Sequence, residues 1–224
     1  ELGVGYGKRN FEMKTSFYRR AAENNFRFKN LLKAGTPTER MKHASNKSWG
    51  ITQDLFWEIS KKQKFTFHAW YHNGEREIQP PIGTETIDDE QKDENLRLLA
   101  TFQNISSVGV STAKLSWVHD YLLFSDGARE FPTALNRITG VLEHEKRFSK
   151  SFESKIGLQI GHFTMPEGNF QNDTTDSRLD LYWLSTLSLG KAFKASLNLR
   201  KTFSKGLNPP FAPSLGVEYD VFRA

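Results

Sequence analysis

Apolar and polar residues alternate along most of this chain, with a period of two. Between Ser177 and Gly190 the odd positions are mostly apolar, with Leu179, Leu181, Trp183, Leu187 and Leu189. The even positions carry Arg178, Asp180, Tyr182, Thr186 and Ser188. Gly190-Lys191 reads as a tight turn, after which Phe193, Ala195, Leu197 and Leu199 alternate with Lys194, Ser196, Asn198 and Arg200. Period two puts one set on each face of a strand. Alternation alone does not say which face is wet.

The same pattern predicts strands over Leu2–Lys8, Phe11–Arg19, Ser48–Ile59, Lys64–Asn73, Asn95–Ile105, Ser111–Phe124, Ala134–Arg147, Phe152–Met165 and Ser214–Phe222, with a short resumption at Phe26–Phe28. Helical periodicity is almost absent. The predicted strands run roughly 9–14 residues, where strands of soluble proteins average about 5–6. The connections alternate in length. Short ones fall near Arg9, Ser60, Ser106, Ser149 and Gly190; long ones fall at 31–47, 74–94, 125–133, 166–176 and 205–213. In an up-and-down meander this gathers short turns at one rim and long loops at the other, as in outer-membrane barrels.

Composition narrows the choice. Mean hydropathy is −0.59 and no apolar run is long enough for a transmembrane helix, but a barrel strand needs only every second residue apolar. The chain has 18 Phe, 6 Tyr and 5 Trp, which suits sheets and membrane-interface girdles. The net charge of +5 is spread along the chain, with no basic block of the kind a nucleic acid requires. There is no cysteine, hence no disulfide framework or thiolate metal site. No signal peptide is visible after Glu1, so a processed product or a fragment is expected.

Catalytic constellations are weak. His68 and His72 share a strand face but lie two pleats apart, too far for easy shared metal ligation. Asp88-Asp89-Glu90 lacks the spacing of a Ca²⁺ loop. Glu143 and Glu145 share a face while His144 points the other way. No nucleophile elbow is present, and no enzyme activity, metal or cofactor is expected.

Three stretches carry a family resemblance: NNFRFKN at 24–30, HAWYHNGEREIQPP at 68–81 followed by QKDENLR at 91–97, and NPPFAPSLG at 208–216. With the strand pattern around them, they resemble the barrel of TonB-dependent outer-membrane receptors, particularly the Bacteroidota-type vitamin B12 or iron-complex receptors. The resemblance implies an all-β, antiparallel up-and-down transmembrane barrel of 22 strands. About eleven of those strands would lie here, since bilayers do not tolerate open sheet edges. Residues 1–224 would form one barrel segment, without the plug domain and without a visible TonB box.

The implied function is uptake of cobalamin, haem or a siderophore–iron complex across the bacterial outer membrane, energised by TonB–ExbB–ExbD. The implied partners are the plug, the remaining strands, lipid and the metal-chelate or vitamin ligand. Ligand contacts would come from loop tips and upper lumen walls, with Trp70, His72, Arg76, Arg129, Phe131, His162, Phe163 and Phe170 as candidates. A soluble β-sandwich or calyx, and a plug-less porin-like barrel, remain as alternatives. Leu179, Leu181, Leu197 and Leu199 are expected to face lipid, and Arg178, Asp180, Asn198 and Arg200 the lumen.

Overall fold

The computed structural model describes residues 1–81, 88–167, 174–190, 192–206 and 209–220. Its strands are β1 (Leu2–Lys8), β2 (Phe11–Ala22), β3 (Arg27–Lys29), β4 (Thr38–Arg40), β5 (Asn46–Ser60), β6 (Gln63–Ile78), β7 (Asp89–Ser106), β8 (Gly109–Ser125), β9 (Glu130–Arg147), β10 (Phe152–Glu167), β11 (Thr174–Leu189), β12 (Phe193–Ser204) and β13 (Ala212–Tyr219). Eleven of them form one sheet in the order β1-β2-β5-β6-β7-β8-β9-β10-β11-β12-β13. Every neighbouring pair is antiparallel, so the sheet is a meander. β3 and β4 pair separately, as a hairpin inside the connection from β2 to β5.

The register confirms the two faces read from sequence. One row across the sheet runs Met13, Leu55, Phe67, Ala100, Leu115, Gly140 and Ile160. The next runs Lys14, Asp54, His68, Leu99, Ser116, Thr139 and Gly161. Leu179, Leu181, Leu197 and Leu199 share the apolar face, and Arg178, Asp180, Asn198 and Arg200 the polar one.

No second sheet covers the apolar face among the described residues. Leu115, Leu142, Ile156 and Ile160 are each more than half exposed. The fully buried large side chain is instead a carboxylate, Asp180. The accessible surface is 16030 Å², against about 10,000 Å² for a globular monomer of this mass. A sandwich or calyx would bury its Leu and Ile set; this sheet leaves that set outward.

The strands outrun the sequence reading. β6 and β7 extend through most of 74–94, pairing Arg76 with Gln91 and Glu75 with Lys92. Both faces there are polar, so the ladder continues where alternation stops. The connection at 125–133 shrinks to residues 126–129. Asp126 closes it by accepting the Ala128 and Arg129 amides on Oδ1, with Gly127 at φ 79°. The alternation of short and long connections therefore breaks at this turn. The expected loop at 31–47 contains β4 and the turn that joins it to β3, and β3 itself overlaps the short strand expected at Phe26–Phe28.

On the polar face two tyrosines lie across glycines of the next strand. Tyr18 covers Gly50, and Tyr182 covers Gly157. A Cβ at either glycine would overlap the ring, so these positions keep the large rings flat on the wall.

Candidate ligand-binding wall

The polar face is zoned along its strands. In the half nearer the short turns its cations are Lys14, Lys64, Lys114, Lys155 and Lys194, with Arg147 at the turn itself. The carboxylates there are mostly Glu, and they pair across strands. Lys64 meets Glu58 at 3.0 Å, Lys114 meets Glu143 at 3.2 Å and Lys155 meets Glu145 at 3.0 Å. In the half nearer the long connections the cations are Arg20, Arg76, Arg97, Arg137, Arg178 and Arg200, beside Asp93, Asp120, Asp176 and Asp180. Arginine presents a planar fork, and the short Asp side chain carries little rotamer freedom. The half nearer the long connections thus carries the geometry suited to directed, bidentate contacts.

Two clusters build that half. The first is a lateral stack over β2, β6, β7 and β8. Tyr18 Oη and His72 Nδ1 share a hydrogen bond of 2.7 Å, and the Tyr18 and His72 rings stack with centroids 6.1 Å apart. Trp70 stacks on His72 at 5.8 Å and 6°. Arg20 lies over Tyr18 at 5.4 Å, and Arg97 over Trp70 at 5.8 Å. Arg97 is anchored by Asp120 at 2.5 Å and by the Leu96 and His119 carbonyls. Two guanidinium groups therefore bracket three parallel or near-parallel rings, an arrangement suited to planar or anionic ligand groups.

The second cluster centres on Asp180. Arg178 grips it with Nε at 2.8 Å and Nη2 at 3.0 Å. Arg200 approaches with Nη2 at 3.1 Å and Nε at 3.3 Å, and the Thr202 hydroxyl donates to Oδ1. Arg178 also lines a hollow with Arg137, Gln159, Gly161, Phe163 and Asp176. The hollow, of about 330 Å³, opens where Gly161 has no side chain.

The structure gathers some sequence candidates and separates others. Trp70 and His72 belong to the stack, and Arg76 lies on the same face, donating to Gln91 Oε1 at 2.6 Å. Phe131 stacks on Phe124 at 5.9 Å near the 126–129 turn, which holds Arg129. Phe163 faces the hollow. His162 has apolar-face parity and is bonded to Ser177 Oγ at 2.8 Å, yet it also lines the hollow. Phe170 lies outside the described residues. Sequence reasoning missed Tyr18, Arg20, Arg97 and Asp120 as members of one site. Their parity was legible, but their adjacency follows from register. His68 bonds Asp54 at 2.8 Å while His72 bonds Tyr18, so the two histidines serve different partners. No cluster of metal-ligating side chains occurs among the described residues.

The sequence matches no protein-family model and no curated protein. Solved structures do resemble the chain. A doubly substituted ferric enterobactin receptor PfeA of Pseudomonas aeruginosa aligns at 13% identity and TM-score 0.71, over 98% of this chain and 38% of that one. The outer membrane transporter YddB of Escherichia coli aligns at 11% and 0.72, over 99% and 36%. The siderophore receptor PirA of Pseudomonas aeruginosa aligns at 11% and 0.65, over 98% and 39%. At these identities the likeness establishes the fold: the sheet has the architecture of an outer-membrane barrel wall. The chain spans 36–39% of the length of these proteins.

Proposed function

We propose that this chain is a barrel segment of a TonB-dependent outer-membrane receptor that takes up a metal-chelate nutrient. A siderophore–iron complex is favoured over cobalamin or haem, because one of the similar structures is named as a ferric enterobactin receptor and another as a siderophore receptor. The observation that carries the reading is the inverted sheet. Its apolar face is exposed and uncovered, and its polar face holds the buried charge network. Such a wall sits between lipid and an aqueous lumen.

In this reading the Arg20–Tyr18–His72–Trp70–Arg97 row and the Arg178/Asp180/Arg200 cluster line the upper lumen. They bind and orient an anionic chelate there by stacking and charge-assisted hydrogen bonds. No bond in the ligand is made or broken. The remaining barrel strands and a plug complete the pore, and TonB–ExbB–ExbD supplies the energy.

The test uses the full-length receptor in detergent and in cells. Ferric siderophores, haem and cobalamin are titrated against its tryptophan fluorescence, and uptake is measured with and without TonB. One chelate should quench saturably, and uptake should require TonB. Trp70→Ala should weaken that chelate about tenfold, as for one well-packed aromatic contact. Unchanged affinity in Trp70→Ala and Arg97→Ala together would remove the stack from the site. TonB-independent uptake would favour a porin-like barrel.

A further inference from the structure

We propose that the β3–β4 hairpin is a membrane-docking element. It binds the phosphate-bearing surface of the bilayer around the barrel and seats Leu31 and Leu32 in the apolar layer. The proposal rests on the membrane reading above.

The first observation is charge. Between Arg27 and Lys42 the hairpin carries Arg27, Lys29, Lys33, Arg40 and Lys42 against the single carboxylate of Glu39. Glu39 is already held by Lys33 at 2.6 Å and by Asn30 Nδ2 at 3.0 Å. Arg27 sits directly opposite Arg40, and Lys29 opposite Thr38, so one face of the hairpin is wholly cationic or neutral. Like charges directly across an antiparallel pair repel. No acidic partner offsets them on this hairpin: Arg40 Nη1 reaches the Asn25 carbonyl at 3.4 Å. A row of phosphates would supply the missing anion.

The second observation is the tip. Leu31 and Leu32 are 77% and 71% exposed. They project from an ordered turn. Asn30 is buried, its Oδ1 accepts the Leu32 amide, its amide reaches the Pro37 carbonyl, and Thr36 donates to the Lys33 carbonyl. This polar scaffold occupies the inside of the tip and leaves both leucines outside. Pre-formed apolar side chains flanked by cations are what interfacial insertion requires.

The third observation is reach. Trp49 packs against Phe17 at 6.3 Å and Tyr71 at 5.2 Å on the apolar face, forming an aromatic belt of the kind that marks a membrane boundary. Trp49 pairs with Arg19, three residues before β2 ends at Ala22, which places the strand end about 10 Å beyond the belt. From Phe26 to Leu31 the hairpin extends about 16 Å. That length returns the tip to the belt when the hairpin folds outward. Each leg passes a left-handed residue between the sheet and the hairpin, Asn24 (φ 50°) and His43 (φ 52°).

This segment has no cysteine, so with any cysteine elsewhere in the full-length receptor replaced by serine, Leu32→Cys can carry a single environment-sensitive fluorophore. The receptor is placed in nanodiscs of phosphatidylcholine alone or with phosphatidylglycerol. Quenching by neutral acrylamide should be about fivefold weaker in the anionic discs, with blue-shifted emission, since each cation near such a surface contributes about 1 kcal/mol. High salt, or Arg27→Ala with Lys29→Ala and Arg40→Ala, should restore the quenching. Equal quenching in both discs overturns the proposal. Protection that appears only when a ferric chelate is added overturns it too, and makes the hairpin a cap over the lumen. A receptor that folds in water and enters neither disc overturns the membrane reading, and docking with it.

Discussion

Replacing Asp180 with Asn tests the wall where its energetics are most concentrated. The carboxylate is fully buried, and it receives the Arg178 fork, both near nitrogens of Arg200 and the Thr202 hydroxyl. Asn keeps the volume and one acceptor but removes the charge. Breaking a buried ion pair on one side costs about 3–5 kcal/mol, chiefly through the charge left behind. Here the Arg178 and Arg200 side chains are each 49% exposed, so water rehydrates part of both guanidinium groups. The expected loss is therefore about 2–3 kcal/mol, or roughly 30- to 150-fold in the unfolding equilibrium. The assay is urea unfolding of the full-length receptor in detergent, followed by tryptophan fluorescence. Adding Arg178→Gln and Arg200→Gln should recover part of the loss, because the stranded charges go with them. Asp176→Asn, at an exposed hydrogen bond to Ser204, should cost much less. A change below about 0.5 kcal/mol for Asp180→Asn, or equal costs at 176 and 180, would show ordinary solvated surface charge and refute the reasoning.

Gly50→Ala should displace Tyr18 from the wall and break its bond to His72, costing about 1–3 kcal/mol as overpacking does. If the Tyr18 ring truly covers that glycine, Tyr18→Ala should relieve most of the cost in the double variant. Leu197→Arg, on the lipid-facing parity, should destabilise the barrel by about 2–4 kcal/mol in bilayers, while Asn198→Arg beside it should be mild. Equal effects would contradict the assignment of faces. The Glu39 carboxyl lies below its ordinary range, chiefly through its hydrogen bond from Lys33 and then that from Asn30. Its contribution is thus present above the unfolded carboxylate pKa and is lost as pH falls through the lower folded value. Amide protection factors in the hairpin should fall on acidification below about pH 4, and Glu39→Gln should flatten that dependence.

The fold class and the two faces were legible in the residues because an apolar surface on one side of a strand and a polar one on the other impose a period of two. The alternation at Leu179–Leu189 and Phe193–Leu199 survives intact in β11 and β12. The same cause explains what was illegible. At Glu75–Glu77 and Glu90–Glu94 both faces are polar, so nothing alternates although the ladder continues. The pairing of the strand expected at Phe26–Phe28 into a β3–β4 hairpin escaped for a related reason. Each of its strands is only three residues long, and Phe28 faces Glu39 with no buried stripe behind it.

For the candidate wall, sequence parity already placed Trp70, His72, Arg97, Arg178, Asp180 and Arg200 on one face. It could not say that Tyr18 meets His72, 54 residues away, or that Thr202 closes on Asp180. Those contacts depend on inter-strand register, which is set by turn lengths and by which glycine accommodates which ring. Local sequence therefore determined strand, face and rim, since each follows from a residue and its immediate neighbours. The tertiary structure decided adjacency, because hydrogen-bonded strands bring together residues that share no local signal.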